Sequence, residues 1–137
     1  MKAAVRYYTK TGNTKKLCDA IAQAIGTEAK SVDVPLEEET EVLFLGNSVY
    51  AANIDKEVKD FVEANKDKIG CLVNVSTAAL IEGTYSRMSK LCRELGIEID
   101  ERDFHCKGSF KFMHKGRPDE QDLADAAAFA KEIMAGK

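Results

Sequence analysis

The sequence predicts an α/β fold, a three-layer doubly wound domain with a five-stranded parallel sheet in the order 2-1-3-4-5. Three observations predict it. Short strand-like runs alternate with segments of helical periodicity along the whole chain. Two of the runs, Val42-Leu43-Phe44-Leu45-Gly46 and Ile69 to Val75, are nearly continuous hydrophobic sequence, as in strands buried on both faces. The length, 137 residues with 45 % apolar, suits one domain over 1–137 whose core needs no disulfide or metal.

The elements follow in order. Lys2 to Tyr8 is β-branched, apolar and aromatic, and reads as the first strand. Asn13 to Ile25 places Leu17, Ala20, Ile21, Ala24 and Ile25 at helical spacing, and Gly26 stops that helix. Ala29 to Val34 is a weaker strand ending at Pro35, and the acidic run Leu36 to Thr40 reads as a loop. The third strand is Val42 to Gly46. A helix from Asp55 to Asn65 presents Val58, Phe61 and Val62. The fourth strand, Ile69 to Val75, precedes a helix from Tyr85 to Leu95, with Gly96 as its stop. Ile97 to Cys106 reads as the fifth strand. Pro118-Asp119-Glu120 opens a last helix that runs to about Ala135, since proline and acidic groups suit a helix start. Helices thus follow every strand but the second, and right-handed crossovers are expected.

Composition excludes several function classes. Lys and Arg number 20 against 23 Asp and Glu, a net charge of −3, which speaks against nucleic acid as a partner. No apolar run approaches the roughly 20 residues of a bilayer span, and Arg6 and Lys10 interrupt any signal-like start. A cytoplasmic protein without membrane insertion is expected. Cys18, Cys71, Cys92 and Cys106 form no C-x-x-C pair, so they read as free thiols, three of them in strongly apolar surroundings. His105 sits beside Cys106, but neighbours along a strand point to opposite faces, so a catalytic pair is not expected. His114 has no spaced partner ligands, and no metal site is expected. Lys107, Lys111, His114, Lys115 and Arg117 form a basic stretch that reads as a solvated loop, with contact to an acidic redox partner or a nucleotide phosphate as the alternative.

The segment that carries chemistry is Thr9-Lys10-Thr11-Gly12-Asn13-Thr14, between the first strand and first helix. In an open α/β sheet, ligands bind beyond the carboxyl ends of the strands where the strand order reverses. Here three hydroxyls and an amide meet a glycine that permits φ above zero, at the positive end of a helix. That combination suits a phosphate. A hydroxyl-rich turn that only caps the helix is the alternative.

The run Thr-x-Thr-Gly-Asn-Thr after a β-strand resembles the phosphate loop of the flavodoxins. The likeness extends over the chain in length, strand count and loop positions. The tail Cys106-Lys107-Gly108 with Lys115-Gly116-Arg117-Pro118-Asp119-Glu120 resembles that of short family members. The resemblance implies flavin mononucleotide (FMN) as cofactor, with Thr9 to Thr14 on its phosphate, and redox proteins as partners. Two further loops would then meet the isoalloxazine ring. The first contains Ser48, Val49, Tyr50, Ala51 and Asn53, with Tyr50 stacking on the ring. The second contains Ser76, Thr77, Ala78 and Ala79, whose small residues admit backbone donors to the pyrimidine edge.

The chain departs from the family pattern in three ways. It has no glycine between Gly46 and Gly70, where many flavodoxins turn a peptide toward the reduced flavin. It has no Trp, leaving Leu80 or Ile81 to cover the second ring face. It is also only mildly acidic. The implied function is electron transfer through FMN, with no side chain needed as a catalyst. An FMN-dependent reductase or oxidase, as in the flavodoxin-like protoporphyrinogen oxidases, and a non-redox module that has lost the flavin are the alternatives.

Overall fold

The computed structural model describes residues 2–9, 12–48, 54–78, 84–107, 116 and 118–136. In chain order the elements are β1 (Ala3–Tyr7), α1 (Asn13–Ile25), β2 (Ala29–Ser31), β3 (Thr40–Ser48), α2 (Lys56–Asn65), β4 (Ile69–Ala78), α3 (Tyr85–Leu95), β5 (Glu98–Ile99), β6 (Phe104–Lys107) and α4 (Glu120–Ala135), with a short 3-10 turn at Lys66–Lys68. The strands are parallel, in the order β2-β1-β3-β4-β5, and β6 also pairs with β4.

The fold follows from which faces are apolar. Strand side chains alternate between the faces of the sheet. Val5, Val42, Phe44, Val73 and Val75 pack with Leu17, Cys18 and Ile21 of α1 and with Ala126, Ala130 and Ile133 of α4. Leu43, Leu45 and Leu72 face the other way, onto Val58, Phe61 and Val62 of α2 and Met88, Leu91 and Cys92 of α3. Two helices on each face close the three layers. Cys18, Cys71 and Cys92 are buried and Cys106 is half-buried, and none of the four is in a disulfide, as expected from their apolar settings.

α1 starts at Asn13 and stops on left-handed Gly26; Leu17 and Ile21 are buried as their spacing predicts, while Ala20, Ala24 and Ile25 are half-buried and Cys18 and Ala22 complete the buried face. α3 stops on Gly96 and buries Met88, Leu91 and Cys92, with Leu95 half-buried. Gly46 lets α1 approach the sheet closely. A Cβ there would fall onto Cys18 Sγ and within 2.8 Å of Thr14 Cγ2. Among the described residues, α4 is the helix with a full capping box. Asp119 accepts from the Asp122 N–H, and Asp122 accepts in return from the Asp119 N–H, each at 2.9 Å.

Three expected elements differ. β2 is only Ala29–Ser31, because Val32 and Leu36 turn into the core rather than along the sheet. β3 and β4 run past their apolar stretches to Ser48 and Ala78, since parallel pairing continues through Asn47↔Ser76 and Ser48↔Thr77. The single fifth strand expected over Ile97 to Cys106 is two short strands. Ile99 lies opposite Leu72 and Phe104 opposite Val75, so this edge carries extra residues and bulges between the two pairings. Asp100 causes the break, because its carboxylate accepts from the Arg102 N–H at 2.9 Å and closes a local turn.

The helix-free connection from β2 to β3 is held by side chains. Arg6, 5 % exposed, donates to the carbonyls of Val34 and Pro35 at 2.9 and 3.2 Å. Asn65 accepts from the Leu36 N–H at 3.0 Å, and Lys68 donates to the Leu36 carbonyl at 2.9 Å. Burial lowers the pKa of Arg6, and nearby Glu37 works against that. These contacts supply the backbone partners that a crossover helix would otherwise supply internally.

Candidate functional site

At the carboxyl edge of the sheet the apolar columns of β3 and β4 turn polar. Because side chains alternate, they form two separate assemblies, one on each face.

The first lies under the start of α1. Gly12 has φ 88°, in the left-handed region, and a Cβ there would meet nothing within 4 Å. Its N–H donates to Thr9 Oγ1 at 2.9 Å, which leaves the Thr9 hydroxyl proton for another acceptor. Among the described residues α1 has no side-chain cap, and its first turn holds no acidic residue. The Lys16 N–H reaches back to the Gly12 carbonyl at 3.1 Å and begins the helical ladder. The positive end of a 13-residue helix therefore carries no compensating charge from its own first turn. Asn13 and Thr14 are buried, and Thr14 Oγ1 lies 3.0 Å from Thr77 Oγ1 of β4. Only one proton is shared in such a pair, so one hydroxyl donor remains for a third group. Ser48, opposite Thr77 in the β3–β4 register, is 3 % exposed, and its Oγ has no hydrogen-bond partner among the described residues. A buried hydroxyl left in that state costs about 1–3 kcal/mol unless something supplies an acceptor or donor.

The second assembly lies on the α3 face. Asn47 Nδ2 donates to Asn74 Oδ1 at 2.9 Å, Asn74 Nδ2 donates to Thr84 Oγ1 at 3.0 Å, and the Thr84 hydroxyl donates to Asn47 Oδ1. All three residues are fully buried. Asn47 also donates to the carbonyls of Leu45 and Val75, at 3.0 and 3.2 Å. Asn74 also donates to Asp103 Oδ1 at 3.0 Å, and the other oxygen of Asp103 lies 3.1 Å from His105 Nδ1. Ser76 belongs to this face, since its hydroxyl accepts from the Thr84 N–H at 3.4 Å.

Of the site residues expected from sequence, Thr9, Gly12, Asn13, Thr14, Ser48 and Thr77 thus gather on the α1 face, while Ser76 lies on the opposite one. Ala78 ends β4. Lys10, Thr11, Val49, Tyr50, Ala51, Asn53 and Ala79 lie outside the described residues, as do Leu80, Ile81 and the basic positions Lys111, His114, Lys115 and Arg117. His105 is exposed and Cys106 packs toward the α1 and α4 core, so the two point apart as expected. Sequence reasoning missed Asn47, Asn74, Thr84 and Asp103. A signal existed for two of them: an asparagine interrupts each of the apolar runs Leu45-Gly46-Asn47 and Val73-Asn74-Val75.

A doubly wound sheet in this strand order, with a glycine-bearing turn leading into α1 at the crevice, defines a flavodoxin-like α/β protein. The family model described as a flavodoxin domain matches residues 4–100, and the chain belongs to that family. No curated protein matches the sequence significantly. Among solved structures, a flavodoxin from the domain Archaea superposes with a TM-score of 0.79 at 20 % identity, covering 97 % of this chain and 96 % of its own. Flavodoxin 1 from Bacillus cereus gives 0.75 at 17 % identity, covering 98 % of both chains. The rubredoxin oxygen:oxidoreductase of Desulfovibrio gigas gives 0.73 at 11 % identity, covering 98 % of this chain and 35 % of that larger one. At these identities the likeness is one of fold.

Proposed function

We propose that this protein, over 1–137 as one domain, binds FMN at the carboxyl edge of its sheet and carries electrons between redox proteins. The observation that carries the reading is the start of α1 at left-handed Gly12, which has no side-chain cap among the described residues, with the buried Ser48 hydroxyl on the same face, which has no hydrogen-bond partner among them. Both features suit a bound oxyanion or polar ligand edge: the helix offers positive potential, and Ser48 offers a hydroxyl that no described residue engages.

In this reading Thr9, Lys10, Thr11, Gly12, Asn13 and Thr14 hold the phosphate. Ser48, Val49, Tyr50, Ala51 and Asn53, with Ser76, Thr77, Ala78 and Ala79, border the ring. The bound flavin supplies the redox chemistry, and the protein supplies position and electrostatics. Membership of the flavodoxin domain family supports the choice of FMN. Four cysteines, none of them in a disulfide, suit a reducing compartment such as the cytoplasm. Among the described residues no helix is long and apolar enough to cross a membrane.

A second reading, a flavin-dependent reductase or oxidase with its own substrate, is favoured by the near-neutral charge of −3. The test is to load the purified protein with FMN, reduce it without oxygen, and mix it with a one-electron acceptor such as ferricytochrome c. Rapid stoichiometric reoxidation is expected of a carrier. Sustained turnover of a small organic substrate by the isolated protein would favour the enzyme instead, and failure to take up FMN would favour a non-redox module.

A further inference from the structure

Gly46 lies inside β3, where glycine weakens a strand and packs against nothing. Its backbone is not left-handed, unlike that of Gly12, Gly26, Gly96 and Gly116. What calls for glycine there is room. In the strand registers Gly46 stands between Tyr7 of β1 and Val75 of β4. A Cβ on it would fall onto Cys18 Sγ, 2.8 Å from Thr14 Cγ2 and 3.3 Å from Tyr7 Cβ. Thr14 and Cys18, one turn apart on α1, therefore take the place of the missing side chain.

The two branches of Thr14 serve different ends. Its methyl sits over Gly46, and its hydroxyl oxygen lies 3.0 Å from Thr77 Oγ1 on β4. Thr77 is one step closer to the carboxyl edge than Val75, the residue opposite Gly46. The methyl is thus seated in the apolar part of this face and the hydroxyl in its polar end. A helical threonine ordinarily divides between two χ1 rotamers. Both branches hang from one carbon, so the seat of the methyl settles where the hydroxyl goes. Thr14 is buried, so bulk water offers that hydroxyl no other partner.

We propose that Gly46 is a positioning residue of the anion site: the room it leaves seats the Thr14 methyl, and the seated methyl aims the Thr14 hydroxyl toward Thr77. This rests on the flavin reading above, in which the start of α1 receives the FMN phosphate. One proton lies between the Thr14 and Thr77 oxygens, so their joint orientation decides which donor is left for the phosphate.

The test is a double-mutant cycle in a Cys18→Ala background, which removes the sulfur that an added Cβ would strike. Gly46→Ala, Thr14→Ser and the pair together are added to that background. Dissociation constants of the apoproteins for FMN, and for riboflavin, which lacks the phosphate, are measured by flavin fluorescence. The Thr14 χ1 rotamer is read by NMR from three-bond couplings to its methyl carbon. Gly46→Ala should weaken FMN by about tenfold, the scale of one misdirected hydrogen bond to a charged group, and leave riboflavin within about twofold. It should also shift Thr14 from the single rotamer of the background. With Thr14→Ser present there is no methyl to displace, so Gly46→Ala should then change FMN affinity by less than about twofold. A general structural effect of the added Cβ would lower FMN and riboflavin together, with or without the Thr14 methyl, and would overturn the proposal. Unchanged FMN affinity or an unchanged Thr14 rotamer in Gly46→Ala would overturn it too. Should the Gly46→Ala proteins not fold, Thr14→Ser alone decides. It keeps the hydroxyl but loses the seated methyl, and should weaken FMN by about threefold as one staggered well becomes three; full affinity would count against the seat. A wild type that holds FMN no more tightly than riboflavin would instead overturn the phosphate reading itself.

Discussion

Gly46 and Cys18 show how single positions set the depth of the site. The missing side chain at Gly46 lets α1 settle against β3, and the Cys18 thiol fills the space that remains. Burial pushes the Cys18 thiol pKa well up, and it pushes that of Cys92 from 9.0 to about 11, with Cys71 adding to the effect. A thiol that holds its proton more tightly when folded stabilises the fold fully below its unfolded pKa. That contribution is lost as pH rises through the folded value. Stability should therefore fall between pH 9.0 and about 11. Urea unfolding at pH 8 and pH 10 checks this: Cys92→Ala should lose less stability across that interval than wild type. An unchanged pH dependence would show that the Cys92 thiol does not couple to folding.

Among the elements, the segment from β2 to β3 is the least regular and the most dependent on individual side chains. Asn65 closes α2 by donating to the Phe61 carbonyl at 2.8 Å while it accepts from the Leu36 N–H. Asn65→Ala leaves that buried N–H without its acceptor, so it should cost about 1–3 kcal/mol in urea unfolding. A loss below about 0.5 kcal/mol, the scatter of ordinary surface changes, would mean that water or rearrangement satisfies the segment. The central elements were legible in the sequence because burial on both faces makes β3 and β4 continuous apolar runs, and because Gly26 and Gly96 mark helix ends by their left-handed φ. The two-piece fifth strand was not legible. Residues 97–106 hold enough apolar and aromatic side chains for one strand, and only the local turn made by Asp100 breaks it. For the same reason Asp103 gave no sign of its role: the bulge that brings it to Asn74 is a tertiary feature with no periodicity to read.

At the scale of the whole molecule, the sheet places two polar assemblies back to back at one edge. A hydroxyl-rich turn with a glycine at the first strand-to-helix junction has a chemical meaning before any fold is known, and its described members Thr9, Gly12, Asn13 and Thr14 lie at the start of α1. The Asn47–Asn74–Thr84 ring was not legible, because its members come from three elements and meet only when the layers close. The proposed binding of FMN rests on the turn before α1 receiving a phosphate. The most direct measurement is an FMN titration of wild type and Gly12→Val, with the phosphate located in a crystal of the wild-type complex. A side chain at φ 88° is strained even where space is open. Gly12→Val should accordingly weaken FMN binding by at least about tenfold, with riboflavin affinity little changed. In the crystal the phosphate should lie against the start of α1, within hydrogen-bond reach of the Thr9 or Thr14 hydroxyl. Undiminished FMN affinity in Gly12→Val, or a phosphate bound elsewhere on the sheet edge, would contradict the account.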